Sequence, residues 1–127
     1  MFQENQDIRR EKFAISSYVD LKGGTFKKLG SNDVDYKLFD DKGNITSYIE
    51  VKVLETTISH SFPLTLSARK LLKLIDKRLN PVVLWSCGDG IIYGKPYEIS
   101  GELVWSTKLD DLEVKYNNKK QFRYVRF

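Results

Sequence analysis

The chain has 127 residues, 41% of them hydrophobic, which is enough to fill one core, and no linker-like segment divides it, so we expect a single domain over residues 1–127. One cysteine and one histidine exclude an intrachain disulfide and a zinc site of the Cys/His type. The net charge of +4 favours a polyanionic partner such as nucleic acid only mildly, because many ordinary proteins are as basic.

The sequence shows no sign of membrane insertion or secretion. Its apolar runs are far shorter than the roughly 20 residues that span a bilayer. The polar start of the chain, Met1–Gln6, is unlike a secretory signal. We therefore expect an intracellular, cytoplasmic protein without a membrane partner.

The first predicted element is a helix from about Gln6 to Val19, followed by a short strand over Thr25–Leu29 after a glycine pair that ends the helix. Glu11 falls inside the apolar stripe of this helix, so its carboxylate needs a polar partner or a path to solvent. The stripe consists of Ile8, Ala14, Ile15, Tyr18 and Val19.

Two further strands are predicted next, over Asp33–Phe39 and Ile45–Val53, because both segments alternate in polarity or are rich in β-branched residues. In the second of these strands, Glu50 and Lys52 lie two residues apart and share one face. An acidic segment just upstream can add a third ionisable group, so this strand is a candidate metal site.

The register between these two strands decides which acidic residue meets Glu50. We expect an even loop, Asp41–Asn44, which places Asp35 opposite Glu50 and Asp33 opposite Lys52. A three-residue loop without a bulge would instead turn Asp35 to the other face.

The second half of the chain predicts a crossover helix and more strands. Thr65 or Ser67 is expected to cap a helix with a leucine-rich face and a basic face, which Asn80-Pro81 ends. The expected face residues are Leu71, Leu72, Leu74, Ile75 and Leu79, beside Arg69, Lys70, Lys73, Lys77 and Arg78. The later strands are predicted over Val82–Trp85 and Ile91–Gly94, with a terminal hairpin of Leu112–Tyr116 and Gln121–Phe127.

Four other residues are expected to have ordinary structural roles. Trp85 and Trp105 are expected to pack in the core or on a sheet, since isolated tryptophans usually do. Cys87 is expected to be a small buried residue near a turn, and His60 to lie in a loop or at the rim of a site.

The element order α-β-β-β-α-β with further C-terminal strands requires an α/β fold, a mixed sheet flanked by helices. This order, together with Asp35 and a Glu50-Val51-Lys52 tripeptide after fourteen intervening residues, resembles the PD-(D/E)XK nuclease superfamily and its restriction-endonuclease-like fold. The resemblance covers roughly Asp7 to Tyr93.

The resemblance implies a metal-dependent DNA endonuclease that hydrolyses phosphodiester bonds. Asp35, Glu50 and the Val51 carbonyl would bind Mg²⁺, which suits hard oxygen ligands, and Mn²⁺ would substitute for it. Lys52 would orient or help deprotonate the attacking water. Glu11 would serve a second metal position or its water shell.

Two assignments stay open at this point. Val34 stands where the superfamily pattern has proline, and Asp33 is an alternative metal ligand to Asp35. Ser67, Arg69 and Lys70, at the start of the second helix, are candidates for contact with a DNA phosphate near the metal; alternatively, they form a capped helix with a solvated basic face.

The short chain resembles Holliday-junction resolvases and small phage-type nucleases, which implies structure-selective cleavage of DNA. Because one site cleaves one strand at a time, a homodimer that cuts two strands is also expected. The alternative function is a nuclease-fold protein that binds nucleic acid or a protein partner without cutting it.

Overall fold

The structure, a computed structural model, describes residues 6–127, so most of the polar segment Met1–Gln6 lies outside the described residues. Its helices and strands are α1 (Gln6–Lys22), β1 (Thr25–Lys28), β2 (Tyr36–Phe39), β3 (Ile45–Val53), β4 (Leu64–Ser67), α2 (Ala68–Asp76), β5 (Pro81–Cys87), β6 (Gly90–Gly94), β7 (Glu102–Ser106), β8 (Asp111–Tyr116) and β9 (Arg123–Arg126). Short 3-10 turns cover Ile58–His60 and Lys119–Gln121.

The main sheet has six strands in the order β1-β2-β3-β5-β6-β9. Strands β3 and β5 run parallel at its centre, and the four other neighbouring pairs are antiparallel. The parallel pair is connected through β4 and α2, a crossover of the kind that parallel strands require. The predicted α/β class, with a mixed sheet and two helices, is confirmed.

Helix α1 covers the first described residues and extends to Lys22, three residues past the predicted end. It ends where Gly23, at a φ of 86°, donates its N–H to the Val19 carbonyl at 2.6 Å. Helix α2 follows β4 directly and ends at Asp76. Within residues 6–127, no helix is both long and apolar enough to cross a membrane.

Strands β4, β8 and β7 form a separate antiparallel sheet in that order. The sequence did not predict β4 or β7. The predicted terminal hairpin is wrong, because β8 pairs with β4 and β7, whereas β9 pairs with β6 at the edge of the main sheet. Asn117-Asn118 leads into the 3-10 turn Lys119–Gln121, which takes the chain from one sheet to the other, and local turn chemistry does not specify that long-range choice.

The main sheet is covered on both faces, which explains why every residue of β5 is buried. Val82 and Leu84 pack with α1, whereas Val83 and Trp85 pack with α2 and the three-stranded sheet. The alternation along β5 therefore divides two apolar clusters, one on each face.

The hairpin of β2 and β3 has the predicted register, but its loop differs from the predicted one. The predicted even loop Asp41–Asn44 is wrong, because Phe39 pairs with Ile45 and leaves five residues in the loop. A bulge at Thr46 then shifts the register by one residue and restores the predicted pairing. The pairs beyond the bulge are Leu38 with Ser47, Lys37 with Tyr48 and Tyr36 with Ile49.

Three of the four residues expected to have structural roles lie where they were predicted to lie. Trp85 is fully buried and Cys87 is buried, and burial raises the pKa of the Cys87 thiol to about 11. His60 lies in an exposed turn, as expected. The expectation for Trp105 is wrong: it is 60% exposed, because it lies on β7 at the edge of the smaller sheet.

The leucines of α2 provide a test of this packing. Leu74 is fully buried, whereas Leu72, expected on the apolar face, is 66% exposed. We expect Leu74→Ala to lower the free energy of unfolding by about 2–5 kcal/mol, since it leaves a cavity in the core. Leu72→Ala should change it by less than about 0.5 kcal/mol. Urea denaturation measures both, and equal effects would contradict the packing of α2.

Candidate active site

Strand β3 directs Glu50 and Lys52 to the face of the main sheet that α2 and the smaller sheet cover. Ile49 and Val51 alternate with them and pack on the α1 side. Glu50 is 3% exposed and lies beside Val83 of the fully buried strand β5. The Glu50 carboxyl group is therefore attached to the most buried part of the sheet.

Asp35 directly precedes β2 and lies next to Glu50. The pairing of Tyr36 with Ile49, continued by one residue, sets Asp35 opposite Glu50. The Asp35 N–H donates to Glu50 Oε1 with an N–O distance of 3.2 Å. The two carboxyl groups are also close enough to share a hydrogen bond. The predicted position of Asp35 opposite Glu50 is therefore confirmed.

The Val51 carbonyl points to the same place. The Val51 N–H donates to Asp35 Oδ2 at 2.8 Å, so this N–H faces the end of β2 and not β5. In an antiparallel ladder, the N–H and C=O of one residue face the same neighbour. The Val51 carbonyl consequently faces the end of β2, on the side where Asp35 lies.

Burial and the neighbouring Asp35 together disfavour a charge on Glu50. Burial is the larger cause and Asp35 the next, and they raise the pKa of Glu50 to about 7. Lys70 opposes this effect from a distance of 3.8 Å between its Nζ and Glu50 Oε2. Near neutral pH, Glu50 therefore exchanges its proton readily when no cation is present.

Lys52 is held by a residue that sequence reasoning assigned to another role. Its ammonium donates to the Thr65 carbonyl at 3.1 Å and to Thr65 Oγ1 at 2.6 Å. The same carbonyl accepts from Trp85 Nε1 at 3.0 Å. Burial lowers the pKa of Lys52, with a contribution from the charges of Lys70 and Lys108. The alternation of Leu64–Ser67 was the available signal for β4, but these residues were interpreted as the start of a helix.

Glu11 reaches the site through Lys28. The Lys28 ammonium lies 2.5 Å from Glu11 Oε1 and 3.4 Å from Asp35 Oδ1. Burial acts to lower the pKa of Lys28, but the hydrogen bond to Glu11 and the charge of Asp35 outweigh it, and the pKa is raised. Burial, and next the charge of Glu11, raise the pKa of Tyr36. The structure thus places the Glu11 and Asp35 carboxyl groups beside the same Lys28 ammonium.

The sequence did not identify Lys28 as a residue of the site. Lys28 pairs with Tyr36, the residue after Asp35, across β1 and β2, and its ammonium lies 3.4 Å from Asp35 Oδ1. Only the three-strand register reveals this position, since nothing in the local sequence distinguishes Lys28 from Lys27.

Asp33 lies elsewhere, so its predicted pairing with Lys52 is wrong. Strand β2 begins only at Tyr36, and a turn precedes it. Asp33 Oδ1 accepts from the Val34 N–H and lies 2.6 Å from Lys77 Nζ. The hydrogen bond to Lys77 lowers the pKa of Asp33.

The three residues at the start of α2 have different surroundings. Lys70 approaches Glu50, as described above. Arg69 Nε lies 2.7 Å from Asp111 Oδ2 on β8. Ser67 is the N-cap residue of α2, but its side chain makes no capping hydrogen bond. Of these three candidates, only Lys70 contacts the carboxylate pair.

The donor set fits a hard divalent cation with few protein ligands. Within residues 6–127, no group of three or more His, Cys, Asp or Glu side chains is arranged to hold a metal ion. A cation would therefore depend on two carboxylates, one backbone carbonyl and water. Mg²⁺ commonly keeps several waters and is bound by one or two carboxylates, so this set matches its requirements.

No family model matches the chain, and no curated protein or solved structure matches it significantly.

The raised pKa of Glu50 predicts a pH-dependent stability. The folded protein holds this proton more tightly than the unfolded chain, whose value is near 4.5. The stabilisation is therefore complete below about pH 4.5 and is lost as the pH rises through about 7. In EDTA, we expect the free energy of unfolding to fall by about 2–3 kcal/mol between pH 5 and pH 8.

Urea denaturation across this range tests the assignment. Glu50→Gln should remove most of the slope and be the more stable protein at pH 8. Asp41→Asn, which removes an exposed carboxylate from the hairpin loop, should leave the slope unchanged. A Glu50→Gln curve parallel to that of the wild type would show that another group titrates.

Proposed function

We propose that this chain is a Mg²⁺-dependent endonuclease of the PD-(D/E)XK superfamily, with the restriction-endonuclease-like fold, and that it hydrolyses phosphodiester bonds of DNA. The observation that carries the proposal is the contact between the Asp35 and Glu50 carboxyl groups beside the Val51 carbonyl. Lys52 lies on the same face of the same strand, two residues from Glu50.

The topology supports the fold named in this proposal. A helix is followed by three antiparallel strands, a crossover that contains α2, and a central parallel strand. The resemblance implies this same order. The additional strands β4, β7 and β8 form a sheet of their own and leave the order of the main sheet intact.

Asp35, Glu50 and the Val51 carbonyl would hold Mg²⁺ or, in its place, Mn²⁺. When bound, such a cation polarises a phosphate oxygen and acidifies a coordinated water. The Val51 N–H orients Asp35, and the Asp35 N–H orients Glu50, so the backbone positions both carboxylates before any ligand arrives.

Lys52 would stabilise the negative charge that develops on the phosphoryl oxygens. Its two hydrogen bonds to Thr65 fix the ammonium in position, so little reorganisation is needed during the reaction. Its lowered pKa also makes it a better partner for proton exchange with the attacking water than an exposed lysine. Glu11 would act at a second cation position or on its waters, on the side of Asp35 where Lys28 now lies.

The DNA phosphate would be approached from α2. Lys70 is 59% exposed and already reaches Glu50, so it can contact solvent and the site at once. Ser67 and Arg69 would extend this contact along the DNA backbone, and the resemblance implies cleavage selective for branched structures.

The positions of Lys28 and Lys70 also favour a second function, a protein that binds nucleic acid without cutting it. These two ammonium groups partly neutralise Asp35 and Glu50 without any cation, as they would in a protein that binds nucleic acid but does not cut it. Metal binding and cleavage distinguish the two functions.

Metal binding tests the site without requiring catalysis. We expect wild-type protein to bind Mn²⁺ in calorimetric titrations, and Asp35→Asn and Glu50→Gln to lose this binding. Lys28→Met should tighten it by roughly twofold to fivefold, because a half-exposed competing ammonium is removed. Lys27→Met, an equal change of charge on the same strand, should have a smaller effect. Absence of Mn²⁺ binding by the wild type would favour the non-cutting function.

Cleavage assays test the chemistry on branched, duplex and single-stranded DNA with Mg²⁺ or Mn²⁺. We expect Asp35→Asn, Glu50→Gln and Lys52→Met each to reduce the rate by at least about 100-fold. Asp33→Asn should retain activity, since Asp33 pairs with Lys77 and lies outside the carboxylate pair.

Two outcomes would contradict this assignment. Loss of activity in Asp33→Asn but not in Asp35→Asn would transfer the ligand role to Asp33. DNA binding without cleavage of any of the three substrates would leave the nuclease-fold binding protein as the better description.

A further inference from the structure

The two sheets have four edge strands, and three of them are protected against pairing with another chain. Edge strands β1 and β9 belong to the main sheet. Lys27 and Lys28 lie on β1, and Arg123 and Arg126 lie on β9. Charged residues on an edge of this kind oppose pairing with a second strand.

Strand β4, one edge of the smaller sheet, is protected in a different way. Its Thr65 carbonyl accepts hydrogen bonds from Lys52 and Trp85 of the main sheet. Leu64 and Leu66 of the same strand are buried. The main sheet therefore covers this edge.

Strand β7, the remaining edge, has neither the cationic residues of β1 and β9 nor the cover of β4. Its one charged residue, Glu102, lies at its first position. Leu103 is 62% exposed and Trp105 is 60% exposed, and they lie on the same face as Leu112 of the neighbouring strand, which is 39% exposed. An apolar patch on an unpaired edge is typical of a surface that another chain covers.

The sequence of β7 is complementary to itself in an antiparallel arrangement. If two copies pair with Val104 opposite Val104, each Leu103 lies opposite the Trp105 of the other copy, and each Glu102 lies opposite a Ser106. No like charges face each other in this register. The same operation on β9 would set Arg123 against Arg126 of the second copy.

We propose that this chain forms a two-fold symmetric homodimer through β7, with Val104 at the axis and each Leu103 packed across the strand pair against the Trp105 of the other copy. The two smaller sheets then join into one sheet of six strands. Within each copy, this sheet also carries Thr65, which holds Lys52, so the interface and the candidate active site share one rigid element. The proposal does not depend on the nuclease function, because it rests on the edge alone.

Sedimentation velocity over a range of concentrations tests the dimer with the full chain. We expect a concentration-dependent dimer for the wild type, and at least about a tenfold weaker dimer for Trp105→Lys, which places a charge in the interface. Tyr124→Lys is the matched control, since Tyr124 is 58% exposed on the protected edge β9 and its replacement should leave the dimer intact. Circular dichroism verifies that both variants are folded.

A crosslinking experiment provides the positive test. The native Cys87 is buried, so a new thiol on β7 reports on the interface alone. Val104→Cys places two thiols on the axis, where opposite Cα atoms lie about 4.5–5.5 Å apart, a separation that a disulfide spans. We expect this variant to form a covalent dimer under mild oxidation, and Tyr124→Cys to form none, since its thiol lies on β9, outside the proposed interface.

The proposal would be overturned by a wild type that is monomeric at every concentration. It would equally be overturned by a dimer that persists in Trp105→Lys while Val104→Cys fails to crosslink.

Discussion

The contact between the Asp35 and Glu50 carboxyl groups is the constraint on which the candidate site depends. Two carboxylates side by side repel each other, and burial adds to the cost of charging them. The structure maintains this contact through the backbone, since each carboxylate accepts an N–H from the neighbouring strand. The contact exists only because the bulge at Thr46 restores a register that the five-residue loop would otherwise have shifted.

The smaller sheet is the second support of the site. It lies on the same side of the main sheet as Lys52, and β4 presents both polar atoms of Thr65 to the lysine ammonium. Trp85, on the next strand of the main sheet, donates to the same carbonyl, so the position of β4 is fixed from two directions. The surroundings of Lys52 are thus set by a packing contact between two sheets, and its lowered pKa follows from that burial.

The sequence predicted the parts of this arrangement that local patterns determine. Helix α1, strand β3 with both bounds, the central strand β5 and the face shared by Glu50 and Lys52 all follow from periodicity. The predicted length of the β2–β3 loop was wrong although the predicted register was right. A five-residue loop followed by a bulge gives the same pairing as a four-residue loop without one. The remaining errors involve partners distant in sequence: Lys28 beside Asp35, Thr65 beside Lys52, and β8 pairing with β4 instead of β9. Local chemistry cannot supply such contacts, since they arise when separate elements pack.

The structure holds the acidic side chains of the site in place more firmly than the basic ones. Glu50 and Asp35 are 4% and 20% exposed in their side chains and are held by backbone groups, whereas Lys70 and Lys28 are 59% and 54% exposed on flexible side chains. An exposed lysine contributes little to stability through one ion pair, so either ammonium can leave its carboxylate at small cost. The anions cannot move away in the same manner. A site with fixed anions and exchangeable cations is suited to accept a different cation without a change of fold, and this asymmetry favours the metal-dependent function over a permanently neutralised carboxylate pair.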